Sequence, residues 1–218
     1  MDKLQLDSTI KTFGTHQILN NIFLECKTGD IVGLLGRNGS GKSTLLKIIF
    51  GTVKADFKFL KINNQVLKSL RKTTRYVSYL PQETMLPKEY NVKTLLTFFA
   101  GKGAVKKAKE NPFLKKLLAT KAGNLSGGEQ KIIEVFMIFN SKSKFVLLDE
   151  PFKGVSPVNR SFIKELIQEN SKSKGIIVTD HDYSSILEIS SEVQLLDNGN
   201  LRKISQKEDL IQYDYLPD

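Results

Sequence analysis

Gly36-Arg37-Asn38-Gly39-Ser40-Gly41-Lys42-Ser43 fits G-x-x-x-x-G-K-[ST], the spacing with which a backbone loop wraps a nucleotide phosphate. Glycines let successive N–H groups turn inward without Cβ clashes, and the helix that follows adds its positive N-terminal end. Lys42 is placed to reach the terminal phosphates of ATP or GTP, and Ser43 to ligate Mg²⁺. The alternative is a glycine-rich turn with no ligand. Against it stands the context: the apolar run Ile31-Val32-Gly33-Leu34-Leu35 leads in as a strand, and Thr44 to Phe50, closed by Gly51, leads out as a helix.

A second constellation is Phe145-Val146-Leu147-Leu148-Asp149-Glu150, an apolar strand delivering two carboxylates at its C-terminal end. In an open parallel sheet that end is where ligands bind. Asp149 suits the outer shell of Mg²⁺, and Glu150 can orient and deprotonate an attacking water. The third is Leu125-Ser126-Gly127-Gly128-Glu129-Gln130. Ser126 with Glu129 fits a capping box that merely starts a helix. That explains neither glycine, whereas a hydroxyl and bare amides at a helix N-terminus make a second phosphate-binding surface.

The elements that must carry these groups read as follows. The opening quarter alternates apolar and polar residues, as at Leu4-Gln5-Leu6 and Ile22-Phe23-Leu24, and predicts a small strand layer leading into the phosphate loop. Thr52 to Gln82 predicts further short strands, ending in Tyr76-Val77-Ser78-Tyr79-Leu80-Pro81. Val92 to Ala100 and Val105 to Ala119 predict helices broken by Gly101, Gly103 and Pro112. Beyond them, Gly128 to Phe139 and Val158 to Asn170 predict helices, and Phe145 to Leu148 and Gly175 to Thr179 buried strands. Strands alternating with helices imply a parallel sheet. Val193 to Leu196, the turn pair Asn198-Gly199 and Asn200 to Ile204 predict a closing hairpin.

With 218 residues the chain can bury a substantial core. Its single cysteine, Cys26, forbids an intramolecular disulfide and points to a reducing cytoplasm, with Cys26 a small buried apolar residue. Neither a signal-peptide core nor an apolar run of membrane-spanning length is present, which predicts a chain soluble on its own. The net charge is +10, and residues 53–121 hold 16 Lys or Arg against 4 Asp or Glu, so the excess belongs to one middle segment. Such a segment is a solvated surface or a match for anionic lipid headgroups or nucleic acid phosphates.

In their order, these motifs resemble the nucleotide-binding domain of ATP-binding cassette (ABC) proteins, and the resemblance runs from about Leu4 to Ile204. It implies an α/β fold: a P-loop NTPase core with a mostly parallel sheet, an N-terminal antiparallel β layer and an inserted α-helical lobe. Residues 1–218 then form one ATPase domain, with 1–82 and 121–218 as nucleotide-binding core and about 83–120 as the lobe. It implies ATP and Mg²⁺ as ligands, bound by Gly36, Arg37, Asn38, Gly39, Ser40, Gly41, Lys42, Ser43 and Thr44.

Leu125 to Gln130 match the family's signature motif, so Ser126, Gly127 and Gly128 are implied to meet the γ-phosphate held by another subunit, a second copy or a paralogous cassette, in a head-to-tail dimer sandwiching two ATP. Phe13 lies where the family stacks an aromatic on adenine, although a turn-flanking core Phe looks the same. Gln82 matches the glutamine that touches Mg²⁺ and water, and His181 the histidine at the γ-phosphate; with Glu150 they form the implied catalytic set, and with Ser43 and Asp149 Gln82 forms the metal set. One departure is Ser156, in Gly154-Val155-Ser156-Pro157, where the family has an aspartate that couples the two ATP sites.

The resemblance implies an ATP-hydrolysing transporter subunit, peripheral on the inner face of the cell membrane, that drives separate transmembrane subunits. The run Glu150-Pro151-Phe152 with Thr179-Asp180-His181-Asp182 is similar to cassettes of lipopolysaccharide export and branched-chain amino acid uptake. A soluble cassette ATPase acting on ribosomes or nucleic acid, or in an assembly complex, is the alternative. Basic charge favours it; the lack of a second cassette or a long coiled coil does not.

Overall fold

A computed structural model describes residues 1–216. Strands β1 (Lys3–Phe13) and β2 (His16–Lys27) form a hairpin, and β3 (Ile31–Leu35) leads into helix α1 (Lys42–Phe50). Short elements follow: β4 (Phe57–Ile62), β5 (Gln65–Val66), α2 (Leu70–Thr73) and β6 (Val77–Leu80). Next come α3 (Val92–Ala100), α4 (Lys102–Glu110), α5 (Pro112–Leu117), a 3₁₀ turn at Ala122–Asn124 and α6 (Gly127–Phe139). The chain continues through β7 (Phe145–Asp149), α7 (Pro157–Ser171), β8 (Gly175–Thr179), α8 (Tyr183–Ile189), β9 (Glu192–Asp197), β10 (Asn200–Ile204) and α9 (Lys207–Gln212).

Two sheets result. An antiparallel sheet has the order β2-β1-β4-β5, and a six-stranded sheet the order β10-β9-β3-β8-β7-β6. In the second, every neighbouring pair is parallel except β9 with β10. Strands β3, β7 and β8 are buried along their whole length, which is why each reads as an unbroken apolar run.

Alternate residues of these strands supply two separate cores. Leu35, Val146, Leu148, Ile176 and Val178 face the helices α3 to α8, whereas Leu34, Phe145, Leu147 and Ile177 face α1 and the antiparallel sheet. This is the period-two geometry of a pleated strand expressed as two hydrophobic layers. Cys26 is fully buried in the second layer, and burial pushes its thiol up, so it is a core residue. Because β3, β6, β7 and β8 run parallel, residues 36, 82, 150 and 181 all follow C-terminal strand ends on one edge of the sheet.

Several local expectations need correction. Helix α1 starts at Lys42 rather than Thr44, because Gly41 at φ 105° closes the loop in the left-handed region and the next residue is already helical. Gly103 does not break a helix: α4 starts at Lys102 and carries it in the first turn, held by the buried face of Ala104, Val105 and Ala108. Gly101, which ends α3, and Pro112 are the true breaks; Pro112 opens α5, whose amides at Phe113 and Leu114 are capped by the Asn111 side chain. The stretch from 52 to 82 holds the short helix α2 besides its strands. The closing hairpin forms on Asn198 and Gly199, at φ 46° and 76°, the two positive values a type I′ turn requires.

Candidate active site

The phosphate loop is tightly built. A Cβ at Gly36 would lie 2.6 Å from Ser40 Oγ and 2.7 Å from the Leu196 carbonyl, and one at Gly41 would lie 2.5 Å from Ile18 of β2. Both positions therefore demand glycine, as do their φ values of 155° and 105°. Lys42 is buried, and its Nζ donates to the carbonyls of Gly36 at 2.6 Å and Arg37 at 3.0 Å. Burial pulls the Lys42 ammonium below its usual range, opposed by the carboxylates of Glu150, Asp149 and Asp180. Ser40 Oγ is buried with no hydrogen-bond partner, an orphan that a phosphate oxygen would satisfy. Arg37, Asn38 and Gly39 are exposed at the loop tip, and Thr44 sits in the first turn of α1.

The carboxylates join this loop directly. Ser43 Oγ donates to Asp149 Oδ1 at 2.9 Å, and the Tyr79 hydroxyl donates to Asp149 Oδ2 at 2.8 Å. Burial raises the Asp149 carboxyl; these two hydrogen bonds oppose that, and the Glu150 charge adds to it. Glu150 is buried and held at φ 52°, a left-handed value that costs a non-glycine residue on the order of 1–3 kcal/mol. Its amide donates to the Thr179 carbonyl at 2.8 Å, which fixes the turn. Gln82 Nε2 donates to Glu150 Oε2 at 2.6 Å, and His181 Nε2 lies 2.9 Å from Glu150 Oε1.

Asp180 is buried beside them and accepts from the amides of Phe152 at 2.8 Å and Asp182 at 3.1 Å. Burial raises its carboxyl, against those backbone bonds. The structure thus joins the phosphate loop, Asp149, Glu150, Gln82 and His181 in one cluster at the ends of four strands.

Ser126, Gly127 and Gly128 lie elsewhere in the bonding pattern. Ser126 Oγ donates to Glu129 Oε2 at 2.8 Å and accepts from the Glu129 amide at 3.3 Å, a complete capping box at the start of α6. A Cβ at Gly127 would meet open space, whereas at Gly128 it would lie 2.7 Å from Asn159 Nδ2. Phe13 is half exposed at the tip of the first hairpin, with the Lys11 ammonium 4.6 Å from its ring centroid. Among the described residues, no hydrogen bond joins Phe13 or Ser126 to the cluster. Ser156 caps α7 with its backbone alone.

Four further residues belong to the site's surroundings. Tyr79 binds Asp149; Lys153 Nζ lies 3.1 Å from Glu150 Oε2. Lys131 donates to the Gln82 carbonyl at 3.1 Å, and Glu134 accepts from Thr84 Oγ1 and the Met85 amide, both at 2.7 Å. Lys131 and Glu134 pair at 3.3 Å, both buried. Two opposite charges three residues apart, with Glu134 set inside the apolar run from Ile132 to Phe139, are the available signal for that pair; Tyr79 has none beyond its place before Gln82.

Residues 19–153 match the family model described as "ABC transporter". The chain belongs to this family. The cassette is 30% identical over 216 residues to the probable sulfate/thiosulfate import ATP-binding protein CysA of Chlorella vulgaris, covering 94% of this chain and 92% of that one. It is 27% identical over 215 residues to the lipopolysaccharide export system ATP-binding protein LptB of Escherichia coli K12, covering 92% and 89%. The fold matches a nucleotide-free ATP-binding cassette from an ABC transporter at TM-score 0.83 and 24% identity, across 100% of this chain and 96% of that one. It also matches a bacterial Atm1-family ABC exporter with ATP bound at TM-score 0.82 and 19% identity, across 97% of this chain and 40% of the exporter.

The cassette is therefore an ATP-hydrolysing subunit of the ABC transporter type, a class that dimerises and works with transmembrane permease components. Among the described residues no helix is long and apolar enough to cross a membrane.

Proposed function

We propose that the cassette works as half of a head-to-tail homodimer that sandwiches two ATP, with Glu150 as the base that prepares water for attack on the γ-phosphate. The observation that carries this reading is the suspension of Glu150 between Gln82 and His181, one residue beyond the carboxylate bonded to Ser43. Gln82 and His181 each hold one of the two carboxylate oxygens, which fixes the orientation of the Glu150 side chain. Lys42 leaves the carbonyls of Gly36 and Arg37 for the terminal phosphates, while Ser40 and the amides of residues 38–44 bind the remaining phosphate oxygens. Phe13 stacks on the adenine. Ser126, Gly127 and Gly128 close over the γ-phosphate of the opposite copy, Ser126 exchanging its Glu129 bonds for that contact.

The donor set suits Mg²⁺, which takes few protein ligands and completes its shell with phosphate oxygens and water. Ser43 and Asp149 would hold it, with Gln82 at its edge, and the ion would neutralise charge developing between the phosphates.

The permease fits the groove of about 470 Å³ lined by Phe50, Val77, Tyr79, Leu86, Phe99 and Met137. Tyr79 lines this groove and bonds Asp149, so its wall touches the metal carboxylate directly. The exposed lysines 102, 106, 107, 109, 115 and 116 of α4 and α5 suit anionic headgroups at the inner membrane face, where the subunit sits peripherally.

The test is the mass and nucleotide content of Glu150→Gln equilibrated with Mg-ATP. A dimer carrying two ATP is expected; a monomer carrying one at saturation would overturn the sandwich.

A further inference from the structure

The last described residues reach back to the first turn of the phosphate loop. Helix α9 ends in a tight reversal: the Asp214 amide donates to the Ile211 carbonyl at 2.8 Å and the Tyr215 amide to the Leu210 carbonyl at 2.8 Å. This is the paired bonding of a Schellman motif, with Asp214 at φ 53° where glycine is usual. The reversal is anchored on both sides. The Arg202 guanidinium lies 4.8 Å from the Tyr213 ring centroid, and Tyr213, Tyr215 and Leu216 pack against the larger core.

It also delivers two groups to the loop. The Arg37 guanidinium donates to the Asp214 carbonyl, across 177 residues of sequence. Burial raises the Tyr215 hydroxyl and the Gly36 amide acts in the opposite sense, which puts the phenol beside the first residue of the loop.

On the inner side of the same two residues, Lys42 Nζ donates to the carbonyls of Gly36 and Arg37. Residues 36 and 37 are thus held from within by the lysine that must move and from without by a strap that need not. When Lys42 transfers to a phosphate, its two bonds to the loop are lost, and the entry keeps the Arg37 bond to Asp214 and the Ser40 amide's bond to the Arg37 carbonyl. A loop left free at that moment must be ordered by the nucleotide itself, which subtracts from affinity.

We propose that Asp214 and Tyr215 are positioning residues that hold the entry of the phosphate loop and thereby set ATP affinity. Among the described residues no hydrogen bond joins them to Glu150, Gln82 or His181, so the effect falls on binding and not on the chemical step. Reciprocity requires that bound ATP also fastens the strap.

The test uses the full-length protein and ATP, with affinity read by calorimetry and turnover by phosphate release. Tyr215→Phe keeps the ring's packing and removes only the hydroxyl beside the Gly36 amide; it should raise Kd and KM about two- to ten-fold, the worth of one net polar contact, with kcat within about two-fold. Asp214→Gly keeps the left-handed turn and should retain affinity, whereas Asp214→Val, which disfavours it, should weaken ATP binding. In the unmodified protein, ATP should slow amide hydrogen exchange at residues 213–216.

Unchanged or tighter ATP binding in Tyr215→Phe, a fall confined to kcat, or exchange indifferent to ATP would each overturn the proposal. The inference rests on residues 36–43 being the phosphate site. If Lys42→Ala binds ATP normally, that assignment fails; if Lys42→Ala weakens binding and Tyr215→Phe does not, only the strap fails.

Discussion

Gln82 donates its side-chain amide to Glu150 at 2.6 Å, across 68 residues of sequence and from the neighbouring strand of the sheet. The loop that carries Gln82 is tied to α6 by Lys131 and Glu134, and α6 begins at Ser126-Gly127-Gly128. A rigid displacement of α6 therefore pulls on the amide that orients the base. Met85 and Leu86, on the same loop, line the adjoining groove, so a chain docked there as proposed would act on the Gln82 amide.

Glu150→Gln removes the basic oxygen and leaves the loop contacts of Lys42 and Ser43 in place. Steady-state phosphate release should fall about 10²- to 10⁴-fold, the usual worth of a positioned general base, with ATP affinity nearly unchanged. Turnover at the original rate would show that another group takes the proton.

Lys42→Ala deletes a buried ammonium whose hydrogen bonds run to loop carbonyls. Loss of a charged donor to phosphate should weaken ATP binding about 10- to 100-fold. Calorimetry on the monomer measures it, and unchanged affinity would remove Lys42 from the phosphate site.

How far the sequence reaches is visible in particular residues. Fully buried parallel strands are apolar along their whole length, so Ile31–Leu35, Phe145–Asp149 and Gly175–Thr179 announce themselves to within a residue. Asn198-Gly199 names its own turn because few residue pairs accept two positive φ values. Gly103 misleads because local propensity loses to the buried face of α4. The bond between Tyr79 and Asp149, and the return of Asp214 to Arg37, arise from tertiary packing between distant segments, and no local pattern encodes them.

Ser126→Arg places a long cation where the proposed sandwich needs a small hydroxyl. The variant should fail to dimerise with ATP, by light scattering, and lose turnover, while the monomer binds ATP as before. Collapse of monomer affinity would contradict the assignment of Ser126 to the opposite half-site.

Asp182 caps α8 by accepting from the Ser185 amide at 3.1 Å and pairs with Arg160. Burial alone would raise its carboxyl, but bonds from Ser184 and Ser185, with the Arg160 charge, hold it down at about 2. A depressed carboxylate contributes stability that is present above the unfolded value of 3.8 and is lost as pH falls towards 2. Asp182→Asn should therefore lower the urea midpoint at neutral pH, and its gap to the unmodified protein should narrow below about pH 4. A gap that widens with acid would reverse the sign assigned to this pair.

The strand order β9-β3-β8-β7-β6 has one further consequence, for synthesis. Strand β3, which launches the phosphate loop, finds its neighbours only in β8 and β9, well over a hundred residues downstream. Until those strands have left the ribosome, the loop has no sheet to stand on and Glu150 lacks His181. Assembly of the site therefore waits on segments made well over a hundred residues after the loop itself, which ties the ordering of the loop to long-range strand pairing rather than to its own local sequence.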